Sequence, residues 1–322
     1  MNSTPDREMF QALAGAGAED GVARGLGVRL KSQPAPAVVK ALAALWLHGA
    51  VAAPERARRI YDATAEGYIG EPIASEPPSD NFSQPPEPIP MAFWMALWDL
   101  LDAPRQRGGS LNLVSTSCSM SGLISTRVQE RAAMSAMAFP GVAGAFAQGY
   151  PRPFTRAALA RCSKRSLGGL FLEGVVASGS DLAVADREAP PLVGLPPPLP
   201  YLHTRLQQCH GLWRIVGGYE ATRLHDSALL AFQLAQCGYP PAAMHLAIMF
   251  TLIVFERPEG AAIMMRTILD AWAHGRRTPP LLGVNWPGIW DRQVEQVRSK
   301  LKVTSFVSAY PADLFEQVVQ AA

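Results

Sequence analysis

His210 and Arg214 stand four residues apart, and Asp226 follows Arg214 after eleven intervening residues. The first two share one helix face, because residues one turn apart lie above each other. Gly217-Gly218 marks the end of that helix. Asp226 is expected as the N-cap of the next one. Two helices meeting at so tight a turn bring an imidazole, a guanidinium and a carboxylate together. Three chemistries are open to such a set. Arg214 and Asp226 can pair, with His210 bonded beside them, as a structural polar cluster. The guanidinium can grip a carboxylate, phosphate or phenolate by a forked contact. His210 can act as a general base. His225, next to Asp226, is a further candidate ligand, but neighbours on a helix point about 100° apart, so an ordinary surface or core histidine is the plainer reading. Glu220 is near in sequence and stays a candidate.

Other chemical signatures are missing. The six histidines form no His-Glu-x-x-His, and Asp-x-Asp-x-Asp-Gly is absent. The four cysteines, Cys118, Cys162, Cys209 and Cys237, show no Cys-x-x-Cys spacing. That implies neither a metal cage nor a secreted disulfide framework, and it suits reduced thiols in the cytoplasm. The serine- and cysteine-rich stretch 108–121 lacks Gly-x-Ser-x-Gly and reads as a polar loop.

The elements that must position these residues are helices. Residues 8–70 read as helical, with segments at 37–48 and 54–67. Helical periodicity returns at 91–101, 126–147, 155–177, 202–216, 226–236, 242–255, 261–275 and 291–301. No period-2 pattern persists, so the fold class is all-α. Trp94 and Trp98 lie four apart on one face of a core helix. Seven prolines within residues 72–90 mark a linker, and 190–200 is a second proline-rich connection. The resulting organisation is an N-terminal helical region 1–71, the linker 72–90, a segment 91–150 of unassigned role, and a helical core 151–322.

The chain's 322 residues are 48% hydrophobic and only 17% charged, below the roughly 25% charged of soluble domains. Twenty-nine basic and 27 acidic residues leave +2, too balanced to support nucleic-acid binding on electrostatics. The N-terminus lacks the basic-then-apolar order of a signal peptide. Residues 227–255 contain no formal charge, 29 positions in a row. Pro240-Pro241 splits this run, and the longer piece would reach about 21 Å of a roughly 30 Å hydrocarbon core. Neither piece spans a membrane. Buried helices, or an apolar surface that touches a membrane, fit better.

The segment from His210 to Tyr219, His-Gly-Leu-Trp-Arg-Ile-Val-Gly-Gly-Tyr, resembles the coenzyme Q biosynthesis protein 4 family. That family's pattern is His-Asp-x-x-His, eleven residues, then Glu. Ser166-Leu167-Gly168 is similar to the family's helix start, and Pro280-Leu281-Leu282 with Trp286 is similar to its C-terminal segment. The resemblance covers roughly residues 155–303, with a weaker trace at 42–67. It implies an all-helical, membrane-associated ubiquinone-biosynthesis protein. Such a protein binds a prenylated aromatic intermediate whose ring is decarboxylated and hydroxylated.

The departures fall on the motif. His210 is kept, Gly211 replaces Asp, Arg214 replaces His, and Asp226 replaces Glu. The family quartet suits a divalent metal such as zinc. An arginine cannot ligate, and about 4 Å from a divalent ion at an effective dielectric near 20 it repels it by roughly 8 kcal/mol. The metal is therefore not expected to be held in the family's way. On this resemblance His210, Arg214 and Asp226 are the catalytic candidates, and Trp213, Tyr219, Leu230 and Met249 the substrate-binding candidates. The expected partners are a prenylated quinone or isoprenoid lipid, a membrane surface, other quinone-biosynthesis proteins and a second copy of the chain. The expected location is cytoplasmic and peripheral to a membrane. A non-catalytic lipid-binding scaffold, or an enzyme for another isoprenoid or secondary metabolite, is the alternative.

Overall fold

Helices follow one another along the chain in the computed structural model, which describes residues 4–73, 84–103, 116, 119–179, 182 and 194–320. Most of the 108–121 loop, much of the 72–90 linker and the start of the 190–200 connection lie outside the described residues. Among the described residues there is no strand, only an isolated bridge between Ser166 and Gln293, so the chain is all-α. No described helix is long and apolar enough to cross a membrane. The chain packs as two units: Met1–Ser135 with Pro240–Ala273, and Ala136–Tyr239 with His274–Ala322. The cut after Ala273 falls inside a helix, Pro258–Arg277, where composition carries no linker signal.

The first unit is built around α3 (Pro36–Val51), which is buried on every side from Leu42 to Val51. Before it come α1 (Thr4–Ala16) and α2 (Asp20–Ser32), and after it α4 (Ala57–Ile69). Trp46, Tyr61 and Trp272 form a ladder of stacked rings with centroid spacings of 4.8 and 4.7 Å. The Trp272 Nε1–H donates to Asp62 at 2.8 Å. Helices α2 and α4 meet backbone to backbone at Gly27 and Gly67. On α5 (Met91–Asp102), Trp94 stacks on Trp98 at 5.8 Å, and both meet Phe10 edge-on. Arg131, on α6 (Thr126–Met137), forms a buried ion pair with Glu55 and donates to Pro85 O at 3.0 Å.

The 126–147 helix is in fact two: α6 and α7 (Val142–Ala147). Pro140-Gly141 intervenes, and Gly141 adopts φ 80°, which ends the helical path. The 155–177 helix also divides, into α8 (Arg156–Leu159) and α9 (Leu167–Ser178). Ser166 restarts the chain by accepting from Gly169 N while donating to Ser163 O at 2.7 Å. Replacing Ser166 with alanine is expected to cost about 1–2 kcal/mol, read as a shift in the urea midpoint. A loss below about 0.3 kcal/mol would mean that the cap does not hold this helix.

The second unit continues with α10 (Leu199–Gly217) and α11 (Arg223–Cys237); α12 (Pro240–Glu256) and most of α13 (Pro258–Arg277) return to the first. Gln236 fastens the segment after α13. Its amide donates to Gly275 O at 2.7 Å and Thr278 O at 2.8 Å, and its carbonyl accepts from Leu281 N at 2.9 Å. Arg205 continues this seam, donating to Leu282 O at 2.9 Å and Val284 O at 2.6 Å. The last helices are α14 (Val294–Leu301) and α15 (Leu314–Gln320). The first begins at Val294 rather than Asp291, because Gln293 and Gln296 form a capping box there.

Candidate functional site

Helix α10 carries His210 and Arg214, and Gly218 closes it in the left-handed conformation, φ 77°. Arg298 supports this end, donating from Nε to Val216 O at 2.9 Å and from Nη2 to Ile215 O at 3.0 Å. A cation placed there satisfies the unpaired carbonyls of the last turn. The turn leads to α11, whose N-cap is Thr222 and not Asp226. The threonine oxygen accepts from His225 N, so Asp226 already lies in the first turn and its carboxylate is free to face α10.

That carboxylate meets Arg214: Nη2 lies 2.6 Å from Asp226 Oδ1, with the side chains 22% and 54% exposed. The same Nη2 lies 3.3 Å from His210 Nε2, and Nη1 donates to Glu220 O at 2.9 Å. A guanidinium only donates, so Nε2 accepts and the ring proton sits on Nδ1; Gln233 Nε2 lies 3.1 Å from it, and the carboxamide accepts that proton once its oxygen is turned to face the ring. Burial, then the Arg214 charge, push the His210 imidazole down to about 4 against the opposing pull of Asp226. His210 is thus neutral near pH 7.

The structure brings His210, Arg214 and Asp226 together. His225 points elsewhere. Its Nδ1 accepts from Glu220 N at 3.0 Å, and its buried ring meets Tyr219 and Phe306 edge-on at 6.1 and 5.3 Å. Glu220 contributes backbone atoms to both contacts. Tyr219 is buried and stacked on Phe306 at 4.6 Å. Its hydroxyl donates to His274 Nδ1 at 2.8 Å, while His274 Nε2 donates to Thr304 O at 2.9 Å. Burial holds the Tyr219 phenol well above its usual range. Trp213 is completely buried, edge-on to Phe232 at 5.8 Å. Leu230 is half-buried on α11. Met249 is buried on α12, in the first unit.

The donor set does not fit a divalent metal. The two atoms that would ligate, His210 Nε2 and Asp226 Oδ1, both face the Arg214 guanidinium. A side chain at 211 would place its Cβ 2.9 Å from the Phe171 ring, so Phe171 fills the room that a carboxylate there would need. Among the described residues no group of three or more His, Cys, Asp or Glu is arranged to hold an ion. Gln233 and Phe171 escape a reading of the motif alone. Gln233 stands seven residues after Asp226, two turns on, so it shares that helix face and was within reach of periodicity. Phe171 carried no such signal.

The chain is similar to known proteins. Residues 186–306 match the family described as Coenzyme Q (ubiquinone) biosynthesis protein Coq4. Over these residues the chain resembles the Coq4 family. The mitochondrial ubiquinone biosynthesis protein COQ4 homologue of Drosophila melanogaster is 27% identical over 108 residues, 34% of this chain and 40% of that protein. Its Drosophila ananassae counterpart is 26% identical over the same shares. The chain therefore aligns with well under two thirds of these relatives' length. A solved Nostoc punctiforme protein assigned to ubiquinone biosynthesis has the same fold, with a TM-score of 0.50 at 21% identity, over 67% of this chain and 96% of that one. The Coq4 match includes α10, α11 and Phe306, and hence His210, Arg214, Asp226 and Gln233, but not Phe171.

Proposed function

We propose that this chain serves ubiquinone biosynthesis by binding the acidic head of a prenylated aromatic precursor at Arg214, without a divalent metal. The observation that carries this reading is the guanidinium itself, bonded to His210 Nε2 and Asp226 Oδ1. A fixed organic cation stands between two groups that would otherwise ligate an ion. Of the five N–H bonds of a guanidinium, those to Glu220, Asp226 and His210 account for three. Two are left to grip a carboxylate or phenolate. The partial exposure of Arg214 and Asp226 allows a ligand to compete for the ion pair, which is weak in such a setting.

The role of His210 in this reading is positional. A base near pKa 4 holds little driving force for proton abstraction at neutral pH, which favours a lipid-binding, non-catalytic member over one that performs ring decarboxylation or hydroxylation through this imidazole. A membrane-peripheral place in a reducing compartment such as the cytoplasm, beside other quinone-biosynthesis proteins or a second copy, completes the proposal. The free thiols Cys162, Cys209 and Cys237 are compatible with it.

The test uses tag-free full-length protein and a prenylated hydroxybenzoate with a short isoprenoid tail. Calorimetry is expected to show binding that Arg214→Met weakens about 30-fold, roughly 2 kcal/mol for lost charge-assisted bonds, and elemental mass spectrometry no stoichiometric metal. Unchanged affinity in Arg214→Met, or one metal ion per chain, would overturn the reading.

A further inference from the structure

The residues after Phe306 lie beyond the match to the Coq4 family, yet they fold back on the turn that joins α10 to α11. The first hold is before the turn. Phe306 N donates to Gly217 O at 2.7 Å, and its ring stacks on Tyr219 at 4.6 Å. Val307 then stands 81% exposed. The chain returns as α15, which packs against α11. There Glu316 Oε1 accepts from Arg223 N at 2.9 Å. Arg223 is the first residue of α11, so its N–H is one that the helix cannot satisfy by itself. Thr222 serves His225 N, Glu316 serves Arg223 N, and a carboxylate suits this end of a helix.

The same turn feeds the polar cluster. Glu220 O receives Arg214 Nη1, and Asp226, three residues after Arg223, receives Nη2. The turn is thus held by Phe306 on one side and by Glu316 on the other. An acidic ligand that competes for Arg214 has to displace Asp226, so the first turn of α11 must yield. It also adds negative charge at a helix end that already holds two carboxylates. The Glu316 hold is incomplete, because Oε2 is buried with no hydrogen-bond partner among the described residues. Such an oxygen has lost its water without replacement, which makes the contact easy to exchange for solvent.

We propose that residues 307–320 form an autoinhibitory clasp, fastened by Glu316, that opposes the binding of an acidic ligand at Arg214. This rests on the headgroup reading above. Ligand and clasp are linked, so each weakens the other by the same factor. A segment that only stabilised the turn would leave affinity unchanged, or would raise it by keeping the site in shape.

Two measurements on the full-length protein test this, with Glu316→Ala and Glu316→Gln beside wild type. Without ligand, hydrogen exchange of residues 220–226 should be about fivefold faster or more in Glu316→Ala, as expected for a lost cap. Calorimetry with the short-tailed prenylated hydroxybenzoate should show Glu316→Ala binding about fivefold tighter than wild type, or more. Glu316→Gln keeps an acceptor oxygen without the charge and should fall between. Saturating ligand should in turn speed exchange of residues 307–320 in wild type. Adding Arg214→Met to Glu316→Ala should abolish the gain, which ties it to this site. Equal or weaker affinity in Glu316→Ala would overturn the proposal, as would unchanged exchange at 220–226. Failure of wild type and both variants to bind would sink the headgroup reading, and the exchange result then decides the clasp by itself.

Discussion

Replacing Gly27 with alanine is expected to destabilise the first unit by about 3 kcal/mol or more. Replacing Gly25, two residues away on the same helix, should stabilise it by roughly 0.5–1 kcal/mol. The opposite signs follow from what each new methyl would meet. At Gly27 it would fall on the Thr64 carbonyl oxygen and 2.9 Å from Tyr68 N. At the matching Gly67 it would fall on the Arg24 carbonyl and 2.9 Å from its carbon. These neighbours are backbone and cannot rotate away, so α2 and α4 would have to separate and loosen the interface they share. Gly25 is exposed, with nothing within 4 Å of a Cβ, so alanine there only removes freedom from the unfolded chain. Urea unfolding of the full chain, followed by tryptophan fluorescence, reads both. Tolerance of Gly27→Ala within 1 kcal/mol would refute the close approach of the two helices.

The second large effect is acid sensitivity through His210. An ordinary imidazole takes up its proton near 6.5, and the folded chain holds His210 down to about 4. Between those values the unfolded state binds more protons than the folded one, so stability falls as pH falls through that window. The full cost is on the order of 3 kcal/mol and is absent above about pH 6.5. Other histidines contribute in the same direction; His245 is also pushed by burial down to about 4. The diagnostic quantity is therefore a difference: His210→Gln should flatten the slope relative to wild type. Arg214→Met should also raise the His210 value, because it removes the second-largest lowering cause and leaves only burial to oppose the pull of Asp226. Parallel wild-type and His210→Gln curves between pH 6.5 and 4 would refute the assignment.

Much of this architecture was written locally. Apolar periodicity placed α10, α11 and α12 within a few residues, and Gly217-Gly218 marked a real helix end. The i, i+4 relation between His210 and Arg214, and the turn that brings Asp226 back to them, needed only neighbouring residues. Local reasoning erred where two local signals competed. Thr222 outcompeted Asp226 for the cap because its short hydroxyl reaches the free N–H of His225, and the carboxylate was left for Arg214. The same competition split the 126–147 helix at Pro140-Gly141.

Residue types and spacing were enough for the helical class, for the end of α10 at Gly217-Gly218 and for the departure of Gly211 and Arg214 from the resembled motif. What lies against Gly211 was settled only by the tertiary structure. Phe171, forty residues before Gly211, sets an aromatic edge there, and Arg205 and Gln236 stitch the unit to carbonyls some 40 to 80 residues away. It also decided that Gly27 meets Gly67 across two helices. The physical reason is the range of the forces involved. Helix periodicity and capping depend on hydrogen bonds four residues long, which sequence spacing records. Close packing depends on which surfaces meet, and spacing along the chain does not record that.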